Sequence, residues 1–289
     1  MFSIKSEKNS YCATDLLSSG KFGAVWVGKC AQTKEQVIIK EYSAAQIEVA
    51  KKLSKIEHPA LQTCEIAYSD DKLFVVRKYI PGINLKMLLS QKQKFSTDFW
   101  VKGFIHLLEG LQVLHENGII HRDIKPSNII IADGNSPNSE WQHENFKLID
   151  FEQALSMTHS NKQKRTPFAF VYAPPEQLLN RNTLTCPQSD LFALGLTLFE
   201  AINKRKAFEF YDPEMLLHIQ LNIPLKNRGI IDKKLFEIIL KSTEKTPFRL
   251  PPSRLTMNEI DSIIKSGIDK RYTSAKEMAN DLKEWLKNY

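Results

Sequence analysis

The chain changes texture at Ile80–Gly82, and that change limits the folds open to it. From Tyr11 to Tyr79, short runs rich in Val, Ile and aromatic residues ("AVWVGKC", "EQVIIKEY", "KLFVVRKYI") are separated by turn formers, the pattern of strands and hairpins. One segment there, "AAQIEVAKKLSKI", places Val49, Leu53 and Ile56 at helical spacing. Beyond Gly82, longer helices take over. Val101, Phe104, Ile105, Leu108, Leu111 and Leu114 form one apolar stripe that runs to a helix stop at Gly118. "SDLFALGLTLFEAIN" and "SAKEMANDLKEWLKNY" predict two more helices. The class is therefore α+β: a tail over residues 1–10, a small β-rich lobe with one key helix over 11–79, and a larger helical lobe over 80–289. A ligand is expected in the cleft between two such lobes.

Composition removes several alternatives. The net charge of +7 would suit a nucleic-acid partner, but Lys and Arg are spread along the chain among 33 acids, the pattern of solvated faces. Cys12, Cys30, Cys64 and Cys186 lack the CxxC spacing of a metal site and read as buried thiols. No apolar run is long enough to span a membrane, and "MFSIKSEKNSY" lacks the apolar core of a secretory signal. A soluble cytoplasmic protein is expected. "ADGNSPNSEWQHEN", residues 132–145, reads as a polar surface loop.

Four stretches carry chemistry. In "SSGKFGAV", Gly20 and Gly23 permit either a loop whose amides approach a phosphate or an ordinary hairpin turn. Lys40 ends "VIIK" on the same strand face as Ile38, where a half-buried cation needs an anion. Glu48 on the following helix is one candidate partner, although an i,i+4 surface pair with Lys52 is available to it at little cost. "IIHRDIKPSN" sets a His, an Arg, Asp123, Lys125 and Asn128 between apolar anchors, so a charged loop is pinned to the core. "KLIDFE" ends a strand-like run at Asp150. A carboxylate for a hydroxyl, a cation for a phosphate and oxygen ligands for magnesium are the requirements of phosphoryl transfer.

With these motifs in this order, followed by "APPE" and "SDLFALG", the sequence resembles the eukaryotic-type protein kinase family from about Tyr11 to Tyr289. The resemblance implies a bilobal fold and Mg-ATP-dependent transfer to protein Ser or Thr hydroxyls, with Mn2+ as a possible substitute metal. Ser18, Gly20, Gly23, Val25 and Ile38 would line the nucleotide, Lys40 would hold its α and β phosphates with Glu48 orienting it, and the backbone of Lys78 and Ile80 would meet the adenine. Asp123 would accept or orient the substrate hydroxyl proton, Lys125 would neutralise the γ-phosphate, and Asn128 and Asp150 would bind metal. Lys125 two positions after Asp123 is the pattern of Ser/Thr-directed members. Glu176 would pair with Arg271, and Asp190 would hold the catalytic loop from below.

Several positions depart from the family pattern. Ser18 replaces the first loop glycine, Glu152 replaces the glycine after Asp-Phe, and Glu48 lies one residue further from "HPAL" than the family spacing. Ala169 stands where a Thr contacting the catalytic loop is usual, with Thr166 three residues earlier. Arg77 stands at the back of the adenine pocket and, if buried, requires a carboxylate from the Glu48 helix or the Asp-Phe-Glu segment. Arg122 beside Asp123 accompanies control by phosphorylation, for which Ser156, Thr158, Ser160 and Thr166 are candidates, with Lys162, Lys164 and Arg165 as phosphate contacts or as a merely solvated cluster. The departures support an alternative function, a nucleotide-binding pseudokinase or scaffold with little phosphotransfer; Lys125, "APPE" and "SDLFALG" argue against a further one, a small-molecule kinase of related fold.

Overall fold

The computed structural model describes residues 2–20, 23–42, 46–69, 72–132, 142–157, 170–210, 212–227, 229 and 231–288. Within the described residues the chain is mixed helix and sheet with a β-rich N-terminal region. Its strands β1 (Phe2–Ser6), β2 (Ser10–Gly20), β3 (Gly23–Cys30), β4 (Gln36–Tyr42), β5 (Cys64–Ser69) and β6 (Lys72–Lys78) close into a barrel in the order β1-β2-β3-β4-β6-β5. Alternation along these strands turns Ile4, Ala13, Val37, Ile39, Phe74 and Val76 inward to one core.

Residues 1–10, expected as a tail, instead supply β1, which pairs with β2 (Ile4↔Tyr11) and with β5 (Ser6↔Ala67). Ile4 is 1% exposed, and burying such a side chain stabilises by roughly 1.5–3 kcal/mol over leaving it in water. Ser6 Oγ also donates to Glu65 Oε2 at 2.7 Å. Strand β1 covers what would otherwise be two open sheet edges.

Helix α1 (Ile47–Leu53) crosses against β5, burying Val49, Ala50 and Leu53. After β7 (Gly82–Asn84) and α2 (Leu85–Ser90), the chain enters α3 (Thr97–Glu116), whose start is capped by Ser96 Oγ accepting from Phe99 N. The stripe read from the sequence is its buried face, and Gly103 lets Phe146 approach to where a Cβ would lie 2.8 Å from the ring. Two small ladders follow. β8 (Ile119–Ile120) pairs with β11 (Leu155–Ser156), and β9 (Ile129–Ala132) pairs with β7 and β10 (Phe146–Leu148). The loops 121–128 and 149–154 leave these ladders from facing ends, which sets them side by side. Helices α4 (Pro175–Leu178), α5 (Pro187–Asn203), α6 (Pro213–Asn222), α7 (Lys233–Ser242), α8 (Met257–Ile268) and α9 (Ala275–Asn288) complete the C-terminal part, with α5 almost wholly buried.

Candidate active site

Loop 121–128 is fixed from three directions. Asp190, in the first turn of α5 and 1% exposed, accepts from His121 N (2.9 Å) and Arg122 N (2.8 Å), and His115 Nε2 of α3 lies 2.8 Å from its Oδ2. Burial alone would push the Asp190 carboxyl upward, but these bonds outweigh it and hold it below the usual range. His121 Nε2 reaches Ile149 O at 3.1 Å, Ile149 N donates to Asn128 O at 3.0 Å, and Gln177 Nε2 donates to Arg122 O at 2.8 Å. Asp123 N donates to His121 Nδ1 at 3.3 Å. The imidazole is therefore neutral with its proton on Nε2, and burial, opposed by Asp190, Asp123 and Asp150, pulls its pKa down. Arg122 itself sits at φ +69°, a backbone state that these contacts hold in place.

At the centre, Asp123 Oδ2 accepts from Lys125 Nζ (2.6 Å) and Asn128 Nδ2 (3.0 Å), and Asn128 Nδ2 also donates to Asp123 O at 2.9 Å. Asp123 Oδ1 is buried with no hydrogen-bond partner among the described residues. A buried carboxylate oxygen without a donor is costly unless something outside the chain supplies one.

The second charged group departs from expectation. Lys40, 7% exposed on β4, pairs with Glu152 rather than with Glu48. Glu48 instead lies 3.5 Å from Lys52 Nζ, the i,i+4 alternative, and accepts from Ser156 Oγ at 3.2 Å. Arg77, 9% exposed on β6, donates to the Tyr42 hydroxyl and stands 4.0 Å from Asp150 Oδ1. Its expected acid therefore comes from the Asp-Phe-Glu segment. Burial would lower the Arg77 pKa, but Tyr42, Asp150, Cys64 and Glu152 together keep it above its ordinary value. Burial likewise pushes the Tyr42 hydroxyl up to about 12, with Arg77 opposing and the two acids adding. Asp150 adopts φ +64° and its Oδ1 accepts from Glu152 N at 3.4 Å.

On the barrel side, Gly23 opens β3 at φ +97°, where a Cβ would lie 2.8 Å from Glu41 O, so a side chain is excluded there on two grounds. Gly20 pairs with Gly23 and Ser18 with Val25, Val25 lies opposite Lys40, and Ile38 lies opposite Arg77. These residues share the sheet that carries Lys40. The Lys78 carbonyl accepts from Gln62 Nε2 at 3.1 Å, its side chain pairs with Glu35, and Ile80 is half-buried beyond it.

Glu176 and Arg271 meet as expected, in a bidentate pair of 2.7 and 3.2 Å with both side chains 0% exposed. Thr158, Ser160, Lys162, Lys164, Arg165, Thr166 and Ala169 lie outside the described residues. Tyr42, His115 and Gln177 were not anticipated. Tyr42 did carry a signal, since it follows Lys40 by two residues and so shares its strand face, whereas His115 and Gln177 act across 75 and 55 residues with no local pattern. Among the described residues no helix is long and apolar enough to cross a membrane.

Residues 11–283 match the model of the protein kinase domain. The chain is 28% identical over 237 residues to serine/threonine-protein kinase PrkC of Bacillus subtilis, covering 78% of this chain and 34% of that protein. It is 24% identical over 237 residues to the probable serine/threonine-protein kinase PknB of Lactococcus lactis, covering 80% and 33%. With mouse serine/threonine-protein kinase Nek5 the identity is 28% over 206 residues, covering 67% and 31%. The chain thus corresponds to about a third of the length of these curated relatives. The match over residues 11–283, with the charged loops set side by side, places this chain in the protein kinase domain family.

Proposed function

We propose that the chain is a bilobal, Mg-ATP-dependent kinase that phosphorylates protein Ser or Thr hydroxyls. The observation that carries this reading is Asp123: one carboxylate oxygen is held by Lys125 and Asn128, and the other is buried and unpartnered. A substrate hydroxyl donating to Oδ1 would satisfy that orphan. As its oxygen forms the bond to the γ-phosphorus, its proton passes to Asp123, and the β,γ-bridging P–O bond breaks with the electron pair leaving on ADP. Lys125, 2.6 Å from the other oxygen, would offset charge on the transferred group.

The donors suit a hard cation. Asn128 turns its amide nitrogen to Asp123 while its amide oxygen accepts a long 3.5 Å bond from Ser127 Oγ, and Asp150 offers a part-exposed carboxylate, so both carry oxygens of the kind magnesium takes. Asn128 and Asp150 would hold the metal, which when bound neutralises the phosphate oxygens. Lys40 would hold the α and β phosphates beneath the Ser18–Val25 turn, with Ile38 lining the base and the Lys78–Ile80 backbone meeting it. Lys125, two positions after Asp123, and the likeness to serine/threonine-protein kinases support Ser or Thr as acceptor.

The test is transfer of labelled phosphate from ATP and magnesium to a mixed protein substrate, comparing the native chain with Asp123→Asn, and mapping the product by mass spectrometry. Labelling on Ser or Thr that the variant loses is expected, with autophosphorylation sites between residues 158 and 166; Ser156, 2% exposed, is not expected among them. Labelling that survives in the variant, or none despite ATP binding, would refute the reading.

A further inference from the structure

Lys40 and its carboxylate partner show how this site differs from its family's pattern. We propose that Glu152 is the residue that positions the Lys40 ammonium for the nucleotide phosphates, the part the family resemblance gave to Glu48. This rests on the kinase reading above.

Three observations support the reassignment. First, Lys40 is buried and its ion pair is with Glu152, whose own side chain is 24% exposed. A buried ammonium needs a fixed anion, and the one it has comes from the loop that also carries Asp150. Second, Glu152 is itself held: its N–H donates to Asp150 Oδ1 and its carbonyl accepts from Gln46 Nε2 at 3.5 Å. The carboxylate therefore approaches Lys40 from an anchored backbone. Third, Glu48 has a site of its own. Lys52 Nζ donates to Ser156 Oγ at 2.7 Å, Ser156 donates on to Glu48 at 3.2 Å, and Lys52 closes the triangle at 3.5 Å. Ser156 is 2% exposed and is paired to β8, so this relay ties α1 to the ladder beneath the loop of Asp123. Bringing Glu48 to Lys40 would break that relay and leave Glu152 to find another cation.

The proposal assigns the two acids different tasks. Glu152 sets the direction of the Lys40 ammonium, while Glu48 fastens α1 to β11. Its test is a pair of double-mutant cycles read by steady-state kinetics and by calorimetric titration of Mg-ATP. The proteins are native chain, Lys40→Met, Glu152→Gln, Glu48→Gln, and the two doubles containing Lys40→Met. Glu152→Gln is expected to lower kcat on the order of 100-fold, the loss a misplaced binding group brings, with a smaller change in KM. In the Lys40→Met background the same change should cost nothing further, whereas Glu48→Gln should retain its own effect there. Glu152→Asp should recover part of the loss, which a general loss of folded protein would not produce.

Coupling of Lys40 to Glu48 instead of Glu152 would overturn the proposal, and so would a rise in turnover on Glu152→Gln, which would make Glu152 a restraint on Lys40. If the native chain binds ATP without transferring phosphate, the cycle is read from ATP affinity with the same pattern expected. If it does not bind ATP at all, the kinase reading falls and this one falls with it.

Discussion

Asp190→Asn is the smallest change that probes how the fold holds the loop. Asp190 Oδ1 accepts from Arg122 N, and Oδ2 accepts from His121 N and faces His115 Nε2, all at 2.8–2.9 Å. An asparagine has one acceptor oxygen, so its NH2 must point at one or more of these donors. An orphaned buried donor costs about 1–3 kcal/mol, and each of the two remaining bonds loses about 1 kcal/mol with its charged acceptor. Relief of carboxylate burial offsets part of this, since burial is the largest influence on Asp190 and works against the charge. The net expectation is a loss of about 2–4 kcal/mol in urea denaturation followed by Trp fluorescence. Function should suffer separately. With its amide contacts weakened, Arg122 relaxes from φ +69° and carries Asp123 off line, so kcat should fall on the order of 100-fold while ATP affinity stays near native. A variant within about 0.5 kcal/mol of native stability that retains full turnover would refute the claim that Asp190 sets this loop.

Other groups give independent tests. Removing one partner of the fully buried Glu176–Arg271 pair, as in Arg271→Met, should destabilise by about 3–5 kcal/mol, and pairing it with Glu176→Met should recover part of that; a loss below about 1 kcal/mol in denaturation would contradict the geometry. Lys245 donates to Gln220 O and lies 4.5 Å from the Phe208 ring centre, and burial, with Arg271 adding, pulls its pKa down to about 7. Between pH 7 and 10 the unfolded chain then holds a proton that the folded chain lacks, so stability rises with pH by about 1.4 kcal/mol per unit, and the penalty is fully present below pH 7. The stability gap between Lys245→Met and native protein should therefore change in the native protein's favour as pH rises through that window; a gap that stays constant would refute the shift.

The charged loop was readable because its signal is local: Asp123, Lys125 and Asn128 lie within six residues between apolar strands, and the flanking residues pair as the pattern implies. Glu176–Arg271 came through the family resemblance rather than from spacing. Partner choice was harder, because Lys40 had acids available to it from α1 and from the Asp-Phe-Glu segment, and a shift of a few ångströms in either decides between them. Glu48 had two readings open, and its neighbour one turn along the same helix, Lys52, is its partner here. Strand β1 is hard to read because five residues of "FSIKS" carry little periodicity of their own; the structure pairs them both with the adjacent β2 and with β5, some sixty residues away.

Arg77 and Glu152, read separately from the sequence, look like two defects in one site, whereas the structure makes them complementary. Lys40 and Arg77 face Glu152 and Asp150, so two cations meet two acids and the cluster is neutral. With glycine at 152, Arg77 would leave an excess positive charge against the barrel; with an apolar residue at 77, Glu152 would add an unbalanced negative charge beside Asp150. The influence of Glu152 on Arg77 is favourable, though smaller than those of Tyr42, Asp150 and Cys64. Each single change, Arg77→Met or Glu152→Gln, thus leaves a net charge in a largely buried cluster, and the double change does not. The double variant should be more stable than the sum of the two singles implies, by about 1 kcal/mol, within the range seen for neighbouring charges. Denaturation midpoints measured at low and high salt will decide it: strict additivity at low salt would show that the two substitutions are independent, and the neutrality of the cluster incidental.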